Sequence, residues 1–195
     1  MVATLLLAAR VWAEPFADAV VSHTIGTAGG GREADLPGVV LGAPHGAGAF
    51  AGSLDTLSLG ENGSIVLAFT DNVIVDRPGP DFTVFENAFL VSGTVTGGPV
   101  AEPGTVSVSA DGVHFVAFPC RLDLAPFYPG CAGVYPVFAN ADDPGAPSPL
   151  VPSTVPIADL IGVPLDGFTP PAGSGGDSFD LADVGLPPFA IGFLP

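Results

Sequence analysis

Residues 105–118 read TVSVSADGVHFVAF, and this stretch gives the clearest fold signal in the chain. Polar and apolar residues alternate in its first half, Asp111-Gly112 follows, and the returning half is rich in valine and phenylalanine. Alternation with a period of two is typical of a half-buried strand, and Asp-Gly between two such runs is typical of a tight turn. The stretch therefore predicts an antiparallel hairpin. The alternation places Val106 and Val108 on the core face and Ser107 and Ser109 in water.

Three further segments read as strands on either side of this hairpin. Asn62-Gly63 lies between the apolar runs 54–59 and 64–69, which predicts a second hairpin. Residues 16–23 form a first strand with valines at its centre, and residues 81–90 alternate as one longer strand. Together with weaker segments, the sequence predicts about eight short strands.

Glycine and proline indicate how these strands are joined. The 195 residues include 27 Gly and 22 Pro, about a quarter of the chain, which disfavours long helices and favours turns. Between residues 119 and 171 prolines are too frequent for central strands, and only a short helical turn is predicted, near residues 157–161. The prediction is an all-β domain: a β-sandwich of jelly-roll type with short antiparallel strands and long Pro/Gly-rich loops.

The charge balance excludes whole classes of partner. Four Lys+Arg stand against 20 Asp+Glu, the formal net charge is -16, and the chain contains no lysine. Nucleic-acid binding needs clustered cations to neutralise phosphates, so a nucleic-acid partner is excluded, and docking on anionic lipid is disfavoured. The chain is nevertheless 48% hydrophobic, so it is expected to fold. The sequence gives no sign of its oligomeric state.

The first residues resemble an export signal. An apolar run at 2–9 precedes Val11-Trp12-Ala13, whose small residues fit a signal-peptidase site with cleavage after Ala13. Residues 1–13 are therefore interpreted as a signal peptide and 14–186 as the β-sandwich domain. No other run approaches the ~18 apolar residues of a membrane helix, so membrane insertion is not expected.

Cys120 and Cys131 are the only cysteines, and a turn-rich stretch separates them. In an exported protein two cysteines this close are expected to form a disulfide. A metal or redox pair is the alternative, but the spacing is not Cys-x-x-Cys and no histidine is adjacent in the sequence.

Two sequence blocks resemble a known group of proteins. Residues 69–87 read FTDNVIVDRPGPDFTVFEN and residues 175–186 read GGDSFDLADVGL. They resemble blocks of bacterial secreted or cell-surface proteins, and the resemblance extends over residues 16–186. It implies a fold similar to the galactose-binding-like jelly rolls of discoidin domains and carbohydrate-binding modules. After the second block such proteins continue into one more strand, whereas residues 187–195 form an atypical tail, as a truncation or a change of reading frame would produce.

The acidic residues of these blocks are candidate ligands for Ca²⁺, which takes six to eight hard oxygen ligands. Flanking glycines give the backbone freedom to direct carbonyl oxygens inward. The alternatives are ordinary turn chemistry without a metal, and neutralisation of one or two carboxylates by Arg77. The predicted metal ligands are Asp71, Asp76, Asp81, Glu86, Asp177 and Asp180.

Glu86 is the most informative of these residues, because it lies within an otherwise apolar strand. A buried unpaired carboxylate is costly, so Glu86 must face water, pair with arginine or bind a cation. A hydrolase that uses Glu86 and a nearby aspartate is the enzymatic alternative. The histidines show no metal-binding spacing and no Gly-x-Ser-x-Gly is present, which disfavours the common enzyme classes.

A glycan would be recognised by aromatic platforms, and Tyr128 and Tyr135 on either side of Cys131 are the candidates. Both could equally cover the edge of the core. The sequence therefore favours a non-enzymatic secreted or cell-envelope module, Ca²⁺-stabilised and glycan-binding or adhesive, whose partner is a glycan or a surface protein. A purely structural surface module is the remaining alternative.

Overall fold

The structure, a computed structural model, describes residues 15–91, 99–142 and 174–185. Within these ranges the regular elements are short strands and 3-10 turns, and none of the described helices is long and apolar enough to cross a bilayer. The strands are β1 (Ala19–Thr24), β2 (Ser64–Ala68), β3 (Phe82–Val84), β4 (Phe89–Leu90), β5 (Pro99–Val100), β6 (Ser107–Val108), β7 (Val116–Ala117) and β8 (Asp177–Phe179). The 3-10 helices are Glu33–Asp35, Gly38–Val40 and Leu181–Val184.

The strands form four two-stranded antiparallel sheets, β1–β2, β3–β8, β4–β5 and β6–β7. The all-β prediction is confirmed, and the described residues show small sheets joined by irregular segments. The predicted signal peptide at 1–13, the helical turn at 157–161 and the tail at 187–195 lie outside the described residues.

The β6–β7 hairpin is confirmed, with Val108 buried and opposite Val116. One detail of its alternation is wrong, because Ser109 is only 9% exposed. Its Oγ accepts hydrogen bonds from the backbone amides of Asp111 and Gly112 at 3.3 and 2.9 Å. The serine hydroxyl is turned inward because it satisfies the turn's amides, which local Ser side chains often do.

The hairpin predicted around Asn62-Gly63 is wrong in its partner. Asn62 does adopt the left-handed conformation of a tight turn, at φ 63°, but β2 pairs with β1. The preceding residues 58–61 instead bond to the glycine-rich loop 26–31, with Gly26 N donating to Leu59 O at 2.8 Å. A Cβ on Gly26 would lie 2.1 Å from Glu61 O. The absence of a side chain at Gly26 therefore permits a close backbone contact that the alternation of polar and apolar residues cannot reveal.

The single strand predicted over residues 81–90 is divided into two. Its first part, β3, pairs with β8 in the register Phe82–Phe179 and Val84–Asp177, and its second part, β4, pairs with β5. The segment between them, which includes Glu86, leaves the sheet. The pairing of β3 with β8 brings the acidic residues of the two sequence blocks, 69–87 and 175–186, together.

A cluster of three phenylalanines lies under this strand pair. The rings of Phe82, Phe118 and Phe179 have centroids 5.0 to 5.7 Å apart, and Leu181 is buried in the same cluster. Aromatic pairs at these distances contribute about 0.5–1.5 kcal/mol each beyond the apolar area that they bury. The cluster fixes β8 and the residues on either side of it.

Residues 131–139 are the least expected part of the core. Cys131, Val134, Phe138 and Ala139 are all buried, although the segment forms no strand. Isolated bridges hold it, such as Val137 with Gly175. The predicted disulfide is confirmed, because Cys120 and Cys131 are bonded at the start of this segment. The proline-rich stretch therefore enters the core without forming a strand.

Candidate functional site

Three predicted carboxylates meet at one end of the β3–β8 pair. Asp81 immediately precedes β3 and Asp180 immediately follows β8, so the antiparallel register places them side by side. Asp81 N also donates to Phe179 O at 2.8 Å. Asp76, on the preceding loop, completes the group, and one ligand oxygen of each residue lies within 4.8 Å of the others. We call Asp76, Asp81 and Asp180 the rim cluster; its geometry could hold a metal ion.

Hydrogen bonds already orient two members of the rim cluster. Asp81 accepts from the backbone amides of Arg77 and Leu181, both at 2.8 Å, and Asp180 caps the helix Leu181–Val184 by accepting from Ala182 N at 2.9 Å. None of the ion pairs formed between described residues includes a member of the cluster. A carboxylate oxygen has two lone pairs, so these bonds leave acceptor capacity for a cation.

A second acidic group is buried beyond the other end of the β3–β8 pair. Asp177, at the start of β8, is only 4% exposed. Its Oδ2 accepts from Gly133 N at 2.8 Å and Val134 N at 3.1 Å, whereas its buried Oδ1 has no hydrogen-bond partner. Glu86 faces the same place: a Cβ on Gly133 would lie 3.3 Å from Glu86 Oε2 and 2.6 Å from Glu102 O. We call Glu86 and Asp177, together with the exposed Glu102 whose charge acts on Glu86, the buried acid group.

Burial shifts the pKa values of Glu86 and Asp177. The pKa of Glu86 is raised to about 7, mainly by burial and also by the charges of Glu102 and Asp177, while the backbone amides of Asn87 and Ala88 oppose the shift. Burial also raises the pKa of Asp177 to about 6, against the opposing effect of the nearby backbone amides of Val134, Tyr135 and Gly133. The Asn87 amide, in the orientation that satisfies both of its polar atoms, donates to Glu86 Oε1 at 2.8 Å.

The chain has few cations with which to neutralise the buried acid group. It contains no lysine. Arg32 pairs with Asp35 and Arg121 pairs with Asp123, and Arg77 contacts the rim cluster through its backbone amide. Within the described ranges, no ion pair reaches Glu86, Glu102 or Asp177.

The structure therefore divides the six predicted metal ligands between two places. Asp76, Asp81 and Asp180 form the rim cluster, and Glu86 and Asp177 belong to the buried acid group. Asp71 is exposed and joins neither. Glu102 was missed by the sequence analysis, because it lies in an irregular connection between β5 and β6 that carries no periodic signal.

The two predicted aromatic ligand residues occupy different environments. Tyr128 lies in the disulfide loop with φ 35°, whereas Tyr135 lies in the buried segment, where burial and the charge of Asp177 raise the pKa of its hydroxyl. The disulfide loop also exposes three large apolar side chains, Leu122 at 53%, Leu124 at 45% and Phe127 at 55%.

Sequence reasoning also missed a histidine held between two carboxylates. His45 Nδ1 contacts Asp55 Oδ2, and its Nε2 lies 3.1 Å from Asp142 Oδ2. With Asn140 these residues line an open hollow of about 390 Å³. A second hollow, of about 420 Å³, lies beside β1 and is lined largely by apolar residues. Neither hollow is lined by the rim cluster or the buried acid group.

Comparisons of the chain with protein-family models, with curated proteins and with solved structures gave no significant match.

Proposed function

We propose that this chain is a non-enzymatic secreted or cell-surface module of jelly-roll type, stabilised by Ca²⁺ at the rim cluster. The observation that carries the proposal is that ligand oxygens of Asp76, Asp81 and Asp180 lie within 4.8 Å of one another, although Asp180 follows the other two by about a hundred residues of sequence. Three carboxylates this close repel one another, and a bound divalent cation would offset that repulsion.

Calcium fits this donor set better than a transition metal does. The three side chains offer only carboxylate oxygens, which are the hard ligands that Ca²⁺ prefers, and their half-buried position leaves room for water ligands. Three protein ligands on a surface loop are typical of weak extracellular sites, with dissociation constants on the order of 10⁻⁴–10⁻³ M. Such a site would be filled outside the cell, where Ca²⁺ is abundant.

The disulfide and the loop that it closes support a role at the cell surface. Disulfides persist mainly in exported proteins, which agrees with the predicted signal peptide. The exposed Leu122, Leu124 and Phe127, with Tyr128 beside them, present apolar and aromatic surface of the kind that contacts a glycan or a protein partner. This loop is the part of the module that we assign to adhesion.

The rival hydrolase gains less support from the same geometry. Glu86 does lie near an aspartate, Asp177, but that aspartate is 4% exposed and neither hollow reaches it. A general acid or nucleophile must contact its substrate, so a pair whose aspartate is buried and lies outside both of these hollows is poorly placed for glycoside hydrolysis. A purely structural module differs from the favoured proposal only in lacking the calcium response.

The test is a thermal melt of the full chain in Ca²⁺ and in chelator. At ten times the dissociation constant Ca²⁺ stabilises the folded state by about 1.4 kcal/mol, which raises Tm by roughly 3–6 °C. Asp76→Asn should remove the part of that rise that comes from the rim cluster. The matched control is Asp71→Asn, an exposed neighbour outside the cluster, which should keep it. An unchanged Tm in the wild-type protein would contradict the calcium proposal and leave the structural module.

A further inference from the structure

We propose that the buried acid group is a second, separate cation site, in which Glu86 and Asp177 bind a hard divalent cation such as Ca²⁺ and Glu102 lies at the entrance. This site is distinct from the rim cluster, and the proposal does not depend on the rim cluster binding a metal. It rests on an unsatisfied buried oxygen, on the surrounding negative charge and on the backbone that holds the carboxylates.

The unsatisfied oxygen is Oδ1 of Asp177. The residue is 4% exposed, and Gly133 N and Val134 N both donate to its other oxygen. These two amides fix the carboxylate in one orientation and leave Oδ1 buried without a partner. Buried polar atoms in folded proteins nearly always have a partner, so an orphaned carboxylate oxygen indicates a missing ligand.

The charges near Asp177 show which sign that ligand has. Glu86 and Asp177 raise each other's energy when both are ionised, and Glu102 adds a third negative charge. No described arginine pairs with any of them, and the chain has no lysine. No described side chain supplies the compensating positive charge, and among metal ions an all-oxygen donor set selects a hard cation.

The backbone around Gly133 keeps the carboxylates close. Gly133 has φ 78°, and a Cβ there would lie 3.3 Å from Glu86 Oε2. Gly133 donates to Asp177, and its lack of a side chain leaves open the space beside Glu86 Oε2. The Asn87 amide restrains Glu86 by donating to both of its carboxylate oxygens, to Oε1 at 2.8 Å and to Oε2 at 3.3 Å.

Tyr135 supplies a direct readout of this site, because tyrosine transfers excitation to bound Tb³⁺ only over short distances. Its side chain is half-buried and lies close enough to Asp177 for their charges to interact. Tb³⁺, an oxygen-seeking substitute for Ca²⁺, added to the full chain at neutral pH should emit on tyrosine excitation, and Ca²⁺ should displace it. Tyr135→Phe should reduce the emission, whereas Tyr128→Phe should leave most of it.

Ligand variants separate the two sites. Glu86→Gln and Asp177→Asn should each weaken the Tyr135-sensitised binding of Tb³⁺ by about tenfold or more, while Asp76→Asn at the rim cluster should not. Glu61→Gln, which removes an exposed acid elsewhere, controls for the change in net charge. Because Asp177→Asn may fail to fold, Glu102→Gln at the exposed entrance serves as a second variant, with several-fold weaker binding expected.

Two results would overturn the proposal. The first is an affinity for Tb³⁺, measured from the emission, that is the same in the wild-type protein, Glu86→Gln and Glu102→Gln. The second is wild-type protein that shows no Tyr135-sensitised emission but gains stability on acidification in chelator, since the buried acids would then be satisfied by protons. A rim-cluster failure looks different: Asp76→Asn would not alter the Ca²⁺ melt, while the Tb³⁺ signal at Tyr135 would persist.

Discussion

At the scale of single residues, glycines with positive φ decide how closely the acidic side chains approach the backbone. Gly133 is the critical case, because it donates to Asp177 and because a Cβ there would lie 3.3 Å from Glu86 Oε2. Gly42 has a similar backbone conformation, at φ 88°, with nothing within 4 Å of the Cβ position. The two positions therefore separate the cost of a strained backbone from the cost of a steric clash.

Gly133→Ala is expected to lower the free energy of unfolding by about 2–4 kcal/mol, because its Cβ would lie 2.6 Å from Glu102 O as well as in a strained conformation. Gly42→Ala should cost about 1 kcal/mol, the strain alone. Urea unfolding of both variants measures the difference. Equal losses would show that the surroundings of Gly133 relax without cost.

A local charge pair at the β6–β7 turn gives a pH prediction. Asp111 accepts hydrogen bonds from the backbone and side chain of His114, which hold the pKa of Asp111 well below its ordinary value. The same contact raises the pKa of His114 above 6.5. The aspartate's contribution is lost as pH falls through its lowered pKa, and the histidine's contribution is lost as pH rises through its raised pKa.

Both contributions to stability are therefore fully present only at mildly acidic pH, above the ordinary pKa of an aspartate and below the ordinary pKa of a histidine. An NMR titration should give a His114 pKa above 6.5 in the wild-type protein, and Asp111→Asn should return it to about 6.5. A His114 pKa that is the same in both proteins would mean that the 2.7 Å contact does not persist in solution.

At the scale of elements, the β3–β8 pair links the core to both acidic groups. Phe179 stacks on Phe82 inside the sheet pair, while the rim cluster and the buried acid group lie beyond its two ends. Thr83 and Ser178 also approach each other across the pair, with their hydroxyl oxygens 3.1 Å apart. Loss of packing in this element should therefore affect stability and cation binding together.

Phe179→Ala is expected to destabilise the fold by about 3–5 kcal/mol, the usual cost of removing a buried phenylalanine. It should also weaken the Ca²⁺ response in the melt, because Asp180 follows Phe179 directly. Phe50→Ala, at a 67% exposed position, should change stability by less than about 0.5 kcal/mol. A Phe179→Ala protein with a full Ca²⁺ response would separate the core from the rim cluster.

Sequence patterns predicted the elements whose information is local. The 105–118 hairpin was predictable because its turn and both strands are contiguous, and the disulfide because only two cysteines exist. The partner of β2 was not predictable, because a glycine-rich loop carries no alternation. The burial of residues 131–139 was also not predictable from the sequence. Frequent prolines argue against a strand, but they do not prevent a segment from packing in the core.

The acidic residues follow the same division. The aspartates of both blocks were recognisable as a candidate set, and the β3–β8 register explains why Asp81 and Asp180 meet. Their separation from Glu86 and Asp177 depends on the division of the 81–90 segment, which the apolar alternation conceals. Glu102 lies in the connection between β5 and β6, whose sequence shows no periodic pattern.

At the scale of the whole molecule, the disulfide fixes the start of the buried segment 131–139. Cys120 and Cys131 are 11 residues apart, and Cys131 is itself buried. A variant with both cysteines replaced by serine should be less stable by roughly 3 kcal/mol, mainly through the greater freedom of its unfolded chain. Thermal melts without reductant measure the loss, and melts of the wild-type protein with reductant should reproduce it.

The contact between the loop 26–31 and residues 58–63 limits how this chain can vary. Methyl groups added at Gly26, Gly29, Gly60 or Gly63 would each collide with backbone atoms at 2.1–2.4 Å. Backbone, unlike a flexible side chain, cannot move aside, so no single replacement at these four positions is expected to survive a saturation-mutagenesis screen. Substitutions in this part of the chain are therefore expected only at the residues next to these glycines. Related proteins that keep the fold should retain all four glycines.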